Sequence, residues 1–169
     1  MKDDTLIIGN GDVAEALKGV VRGGTTFFAS GVSNSKEKNE REYQKEIYLL
    51  LAQNKSRHLV YFSSLCIFYS RNRYAKHKIE MERLIKQEFP YYTIIRLGNI
   101  TWGNNPNTLL NNLRRKKQKG ESFEIQDTYR FICDKEEFLY WINMIPSWNV
   151  EMNIPGRRMK VQQIVDELI

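Results

Sequence analysis

Four side chains in one short stretch of the chain can together hold a hydroxyl, move a proton and tune that proton's affinity: Ser63, Ser64, Tyr74 and Lys78. Tyr74 and Lys78 are four positions apart, so on a helix they share one face. A phenol with a pKa near ~10 is a poor base at neutral pH, but an ammonium one turn away favours the phenolate. A serine hydroxyl nearby would then hold a substrate oxygen while the tyrosine moves the proton. A YxxxK spacing arises easily by accident. The strand-end serines just upstream are what give it weight.

The elements that must position these groups can be read on either side. Leu59-Val60-Tyr61-Phe62 is a short apolar, β-prone run of the kind a parallel sheet buries on both faces, and it stops at the serines. The carboxyl edge of an open α/β sheet is where ligands bind. From Tyr74 a helical pattern opens, with Ile79, Met81, Leu84 and Ile85 as its apolar side. Near the amino terminus the strand-like Thr5–Ile8 runs into Gly9-Asn10-Gly11-Asp12-Val13-Ala14, a GxGxxA turn that leads into a helix. That context suits a dinucleotide: glycines allow a tight turn and close backbone approach, and the helix start offers free N–H groups to a pyrophosphate. A plain strand–helix turn is the alternative.

The acidic residue that would grip an adenine ribose about 20 residues further on is missing. The first helix is expected to end near Gly19, and the next strand is Thr25–Ser30, with no Asp or Glu after it until Glu37. Arg22 could meet a ribose phosphate, though a turn residue in water explains it as well. The small-residue loop Ser30–Ser35 would let a ligand approach the backbone, and a helix with lysines and glutamates in solvent should carry the chain to Leu59. Further on the sequence predicts a strand at Tyr92–Leu97, a polar loop from Gly98 to Asn107 and a helix over about Thr108–Lys119. Strands at Ser122–Ile125 and Thr128–Cys133 follow, then a helix around Lys135–Ile145, a run at Asn149–Ile154 and a last helix from Val161. Asn99 is either a ligand contact or a local backbone partner. Arg130 interrupts an apolar stretch, so it should be paired or waiting for an anion.

The 169 residues fit one domain, 1–169, with a small substrate-binding portion at about 99–160. Such a chain buries roughly 70% of the surface it exposes unfolded. No apolar run approaches the ~18 residues of a membrane span, and no leader pattern precedes the first strand, so a cytoplasmic protein is expected. Cys66 and Cys133 sit in apolar contexts and read as reduced core thiols. His58 and His77 lack companions at useful spacing, and no metal is expected. Trp141 and Trp148 read as packing residues. The net charge of +6 favours anionic partners. Much of it lies in Arg114–Lys119, which lacks interleaved aromatics and reads as a solvated helix end stopped by Gly120, so nucleic acid is not an expected partner.

Taken in order, GNGDVA, FFASGVSNS, YFSS, YAKHK, IIRLGNITWG and YRFICD resemble the short-chain dehydrogenase/reductase superfamily, and within it the extended branch of NAD-dependent sugar-nucleotide epimerases and dehydratases. The resemblance implies an α/β, three-layer Rossmann-like fold and NAD or NADP as cofactor. Tyr74 would be the acid/base, Lys78 the residue that lowers its pKa and holds the nicotinamide ribose, and Ser64 the hydroxyl that binds the reacting oxygen. Ser63 is the fallback for that role and otherwise a substrate contact. Gly9, Gly11 and Ala14 would take the cofactor pyrophosphate, Ser30 would lie in the turn against the cofactor, and Asn99 and Arg130 would bind a nucleotide-sugar substrate, Arg130 at its diphosphate. A homodimer is an expectation of the family alone. Members commonly run near twice this length. What is absent resembles the second and third strands with their helices, the part that binds adenosine, so a cofactor-free binding or assembly module is the alternative function.

Overall fold

The protein was analysed as a computed structural model that describes residues 4–122 and 124–169. Five short runs rich in β-branched and aromatic residues form one parallel sheet: β1 (Leu6–Ile8), β2 (Thr25–Phe28), β3 (His58–Ser64), β4 (Tyr92–Leu97) and β7 (Val150–Ile154), in the spatial order β1-β2-β3-β4-β7. Crossovers run through α1 (Asp12–Ala16), α2 (Glu40–Leu51), α3 (Arg73–Glu88) and, before β7, α5 (Lys135–Asn143). Alternation along the strands builds two cores. Phe27, Val60, Phe62 and Ile95 pack against Leu17, Phe138 and Ile142 on one face. Their neighbours Phe28, Leu59, Tyr61 and Ile94 pack against Leu50, Met81 and Ile85 on the other. Burial on both faces is why these strands read as continuous apolar runs.

A smaller sheet, β5 (Asn99–Ile100), β6 (Tyr129–Cys133) and β8 (Arg157–Lys160), has one parallel and one antiparallel pairing. It packs with α4 (Leu109–Gln118) and α6 (Val161–Leu168) around Leu110, Leu113, Ile132, Met159 and Ile164. Local signals set the helix ends. Asn72 accepts from the Ala75 N–H at 2.8 Å to start α3, Thr108 accepts from the Asn111 N–H at 3.3 Å to start α4, and Gly120, at φ +65°, ends it.

Several expectations need correction. The segment expected as a strand at Ser122–Ile125 forms none at Ser122, Glu124 and Ile125, while Phe123 lies outside the described residues. Strands β5 and β8 were not anticipated; one is two residues long and the other is Arg157-Arg158-Met159-Lys160, whose composition carries no β signal. The helix after the glycine turn stops at Ala16, with turns through Gly19. Trp141 and Trp148 are exposed, whereas Trp102 packs on Phe138 with ring centroids 5.2 Å apart. No helix among the described residues is long and apolar enough to cross a membrane.

Candidate active site

The carboxyl ends of β1 to β4 open onto a cleft of about 720 Å³. Gly11 and Asp12 line it after β1, Ser30 to Ser33 after β2, Ser63 and Ser64 at the end of β3, and Gly98 and Asn99 after β4. Tyr74 and Lys78 enter from the first turns of α3. The Ser64 oxygen accepts the Cys66 N–H at 3.2 Å, capping the 3-10 turn Leu65–Phe68 that leads the chain toward α3. The same hydroxyl lies beside the Tyr74 phenol and favours its ionised form.

The Lys78 ammonium lies 5.6 Å from the centre of the Tyr74 ring and pulls the phenol's pKa down, as the spacing suggests. Burial outweighs that pull, and the net displacement of Tyr74 is upward. Cys66 adds to the upward displacement, and so does Glu46, an acid of the helix whose lysines and glutamates are expected in solvent. Glu46 on α2 is only 3% exposed and its carboxylate reaches Lys78 Nζ at 3.2 Å. Tyr61 donates its hydroxyl to the same Oε1 at 2.9 Å, and Lys78 donates to the Tyr61 oxygen at 3.0 Å. The other oxygen, Oε2, meets His77 Nε2 at 2.9 Å and accepts the Val32 N–H at 2.9 Å. Burial raises the Glu46 pKa, but Lys78, His77 and the Val32 amide lower it further, to about 2. Burial likewise works against the charge on Lys78, and Glu46, Tyr61 and Tyr74 more than reverse it, holding the ammonium well above the ordinary lysine range.

The remaining expected residues have mixed placements. Ser63 is buried and donates to Glu82 Oε1 at 2.6 Å, so its hydroxyl is already engaged on the α3 side. Asn99 faces the cleft while its amide donates to the Phe131 carbonyl at 3.1 Å. Arg130 also lines the cleft; it donates to Thr128 Oγ1 at 2.7 Å and to the Tyr129 carbonyl at 2.9 Å, with no carboxylate partner among the described residues. Gly11 and Ser30 are on the cleft wall. Gly9 sits at φ +124° against Ala29, whose carbonyl oxygen would be 2.5 Å from a Cβ, and Ala14 is buried in the core. Those two therefore shape the turn from behind.

Arg22 points away from the cleft: it donates to the Ile145 and Pro146 carbonyls at 2.5 and 3.2 Å. Cys66, expected in the core, lines the cleft, while Cys133 is buried as expected. His77, read as lacking a companion, has Glu46. Asp12 was also missed. Its carboxylate accepts the Asn104 and Asn105 N–H groups at 3.0 Å each, and its carbonyl accepts Trp102 Nε1 at 3.0 Å. These bonds fasten the loop after β5 to the glycine turn.

No protein-family model matches the chain, and no curated protein matches it. Solved structures do. The Bordetella bronchiseptica enzyme WbmG in complex with NAD superposes with a TM-score of 0.66 at 14% identity, over 90% of this chain and 56% of that one. UDP-glucose 4-epimerase from Thermotoga maritima with UDP-glucose gives 0.67 at 15% identity, over 86% and 60%. The fold is the Rossmann-like α/β fold that these structures share. A dTDP-4-dehydrorhamnose reductase from Bacillus anthracis in complex with NADP gives 0.80 at 14% identity, over 99% of this chain and 80% of that one. The protein thus spans little more than half the length of WbmG, and its sheet has β1 at one edge, next to β2.

Proposed function

We propose that the protein acts on a nucleotide sugar with NAD or NADP, using Ser64, Tyr74 and Lys78, as an epimerase-, dehydratase- or reductase-type oxidoreductase. The observation that carries this reading is the convergence of the Ser64 hydroxyl, the Tyr74 phenol and the Lys78 ammonium on one cleft at the carboxyl edge of the sheet. The cleft wall is chiefly neutral and polar, with Asn99 and Asn105, and has Arg130 as a cation with no carboxylate partner among the described residues. That chemistry suits a ligand with several hydroxyls and a phosphate.

Whether the cofactor fits can be judged from the turn and the sheet edge. A Cβ at Gly11 would meet nothing within 4 Å, so the turn leaves room for close approach to its backbone. Gly11, Ser30 and Lys78 could hold the nicotinamide half. On the outer side of β1 no described strand offers an adenosine site. When bound, NAD(P) would supply hydride acceptance and return. The chain's own part is to orient the reacting oxygen on Ser64 and to move its proton at the Tyr74 oxygen, with Lys78 favouring the phenolate. Turnover of a panel of nucleotide sugars with NAD or NADP tests this, and Tyr74→Phe is expected to lower the rate about 10²–10⁴-fold. An unchanged rate in that variant removes Tyr74 from the reaction.

A second reading has its own support. Lys78 is already satisfied by Glu46 and Tyr61, and β1 is an edge strand. Both suit a module that kept the sheet and lost the cofactor, serving in binding or assembly. Isothermal titration separates the two: tight NAD(P) binding excludes this module, and no binding at millimolar cofactor undermines the enzyme.

A further inference from the structure

We propose that Glu46 is the positioning residue of the Tyr74–Lys78 pair: one carboxylate anchors the lysine ammonium beneath the cleft and, through its other oxygen, clamps the loop that forms the cleft's rim. Its importance for catalysis rests on the reading of Tyr74 and Lys78 as proton-handling groups. Its test does not.

The geometry divides the work between the two oxygens. Oε1 faces Lys78 Nζ at 3.2 Å and the Tyr61 hydroxyl at 2.9 Å, and the Lys78–Tyr61 contact of 3.0 Å closes a triangle. Oε2 receives the Val32 N–H and meets His77 Nε2, each at 2.9 Å. Gly31 makes this approach possible, since a Cβ there would lie 2.5 Å from the carboxylate carbon. Ser30 to Ser33 form the cleft wall above, so the residue that holds the lysine also holds the rim.

Every neighbouring element contributes a group to this centre. They are Glu46 from α2, His77, Lys78 and Tyr74 from α3, Tyr61 and Ser64 from β3, and Cys66 from the 3-10 turn that follows it. Lys78 and Glu46 form an ion pair in which both partners are buried, Lys78 to 4% exposure, with His77 on the second oxygen of Glu46. A buried ammonium without a carboxylate would lose its proton readily. With Glu46 present it stays charged, and the same carboxylate offsets part of the pull that Lys78 exerts on the Tyr74 phenol. Position and effective charge of the lysine therefore have one source.

The direct readout is the side-chain ammonium signal of Lys78 in 15N-lysine-labelled protein, assigned by its loss in Lys78→Arg and followed with pH. In the wild type the signal should titrate above the ordinary lysine midpoint. Glu46→Gln preserves the shape and a hydrogen-bonding end while removing the charge, and should lower that midpoint by about one to three pH units. Glu46→Asp, which keeps the charge on a shorter arm, should fall between the two. Equal midpoints in wild type and Glu46→Gln overturn the proposal. If Glu46→Gln does not fold, the wild type decides alone: a midpoint at or below the ordinary lysine value overturns it, and one above supports it. Absence of turnover would count against the proposed function and leave this titration untouched.

Discussion

Glu46 makes the cleft floor sensitive to acid. Its carboxyl ionises near 2 in the fold against an ordinary value of 4.5. A depressed carboxylate contributes stability that is fully present above the unfolded pKa and disappears as pH falls through the folded one. The contribution, on the order of 3 kcal/mol, should therefore fade between about pH 4.5 and 2. Urea denaturation of wild type and Glu46→Gln across that window checks it: the gap between them is expected to be widest above pH 5 and to close toward pH 2. A constant gap would mean that the ion pair with Lys78 is not its origin. The residue could have been found from the sequence. Tyr43, Glu46 and Leu50 are spaced three and four apart, and both apolar members are buried, so an acid between them belongs to the inward stripe. Tyr74 and Lys78 needed no such inspection, because their relation is set within one helical turn.

At the scale of elements, the loop from Trp102 to Asn105 is fastened to the start of α1 through Asp12. Gly103 allows that closeness. It sits at φ +89°, and a Cβ there would lie 2.0 Å from the Asp12 carboxyl carbon. Gly103→Ala should destabilise the protein by about 1–3 kcal/mol in denaturant unfolding, through both the backbone strain and the lost latch. Asp12→Asn, which retains one acceptor oxygen, should be milder. These contacts join residues some ninety positions apart, beyond what spacing and periodicity can indicate. Strands β2, β3 and β4 were legible because burial on two faces gives them largely apolar runs, whereas β7, Val-Glu-Met-Asn-Ile at the edge of the sheet, alternates instead; α3 was legible from the spacing of Met81, Leu84 and Ile85, and α4 from Thr108 at its start and Gly120 past its end. Strand β8 was illegible for the converse reason: its pairing with β6 is set by the lobe around it and not by Arg157-Arg158-Met159-Lys160 itself.

For the whole molecule, stability should be graded across the sheet. The β3–β4 pair is central, with six paired positions from Leu59 to Ser64 and cores on both faces, while β1 pairs over three positions at the edge. Amide exchange is expected to be slowest in β3 and β4 and fastest among the strands of this sheet in β1. Equal protection in β1 would point to a partner along its free edge. The connection between α1 and β2 has a further use. Val21 is 89% exposed, while Arg22 beside it is held by Thr5, Ile145 and Pro146. A donor segment grafted at Val21 would emerge beside the open flank of the sheet with its downstream end already moored, making this the natural port for enlarging the protein by whole strands without disturbing the cleft.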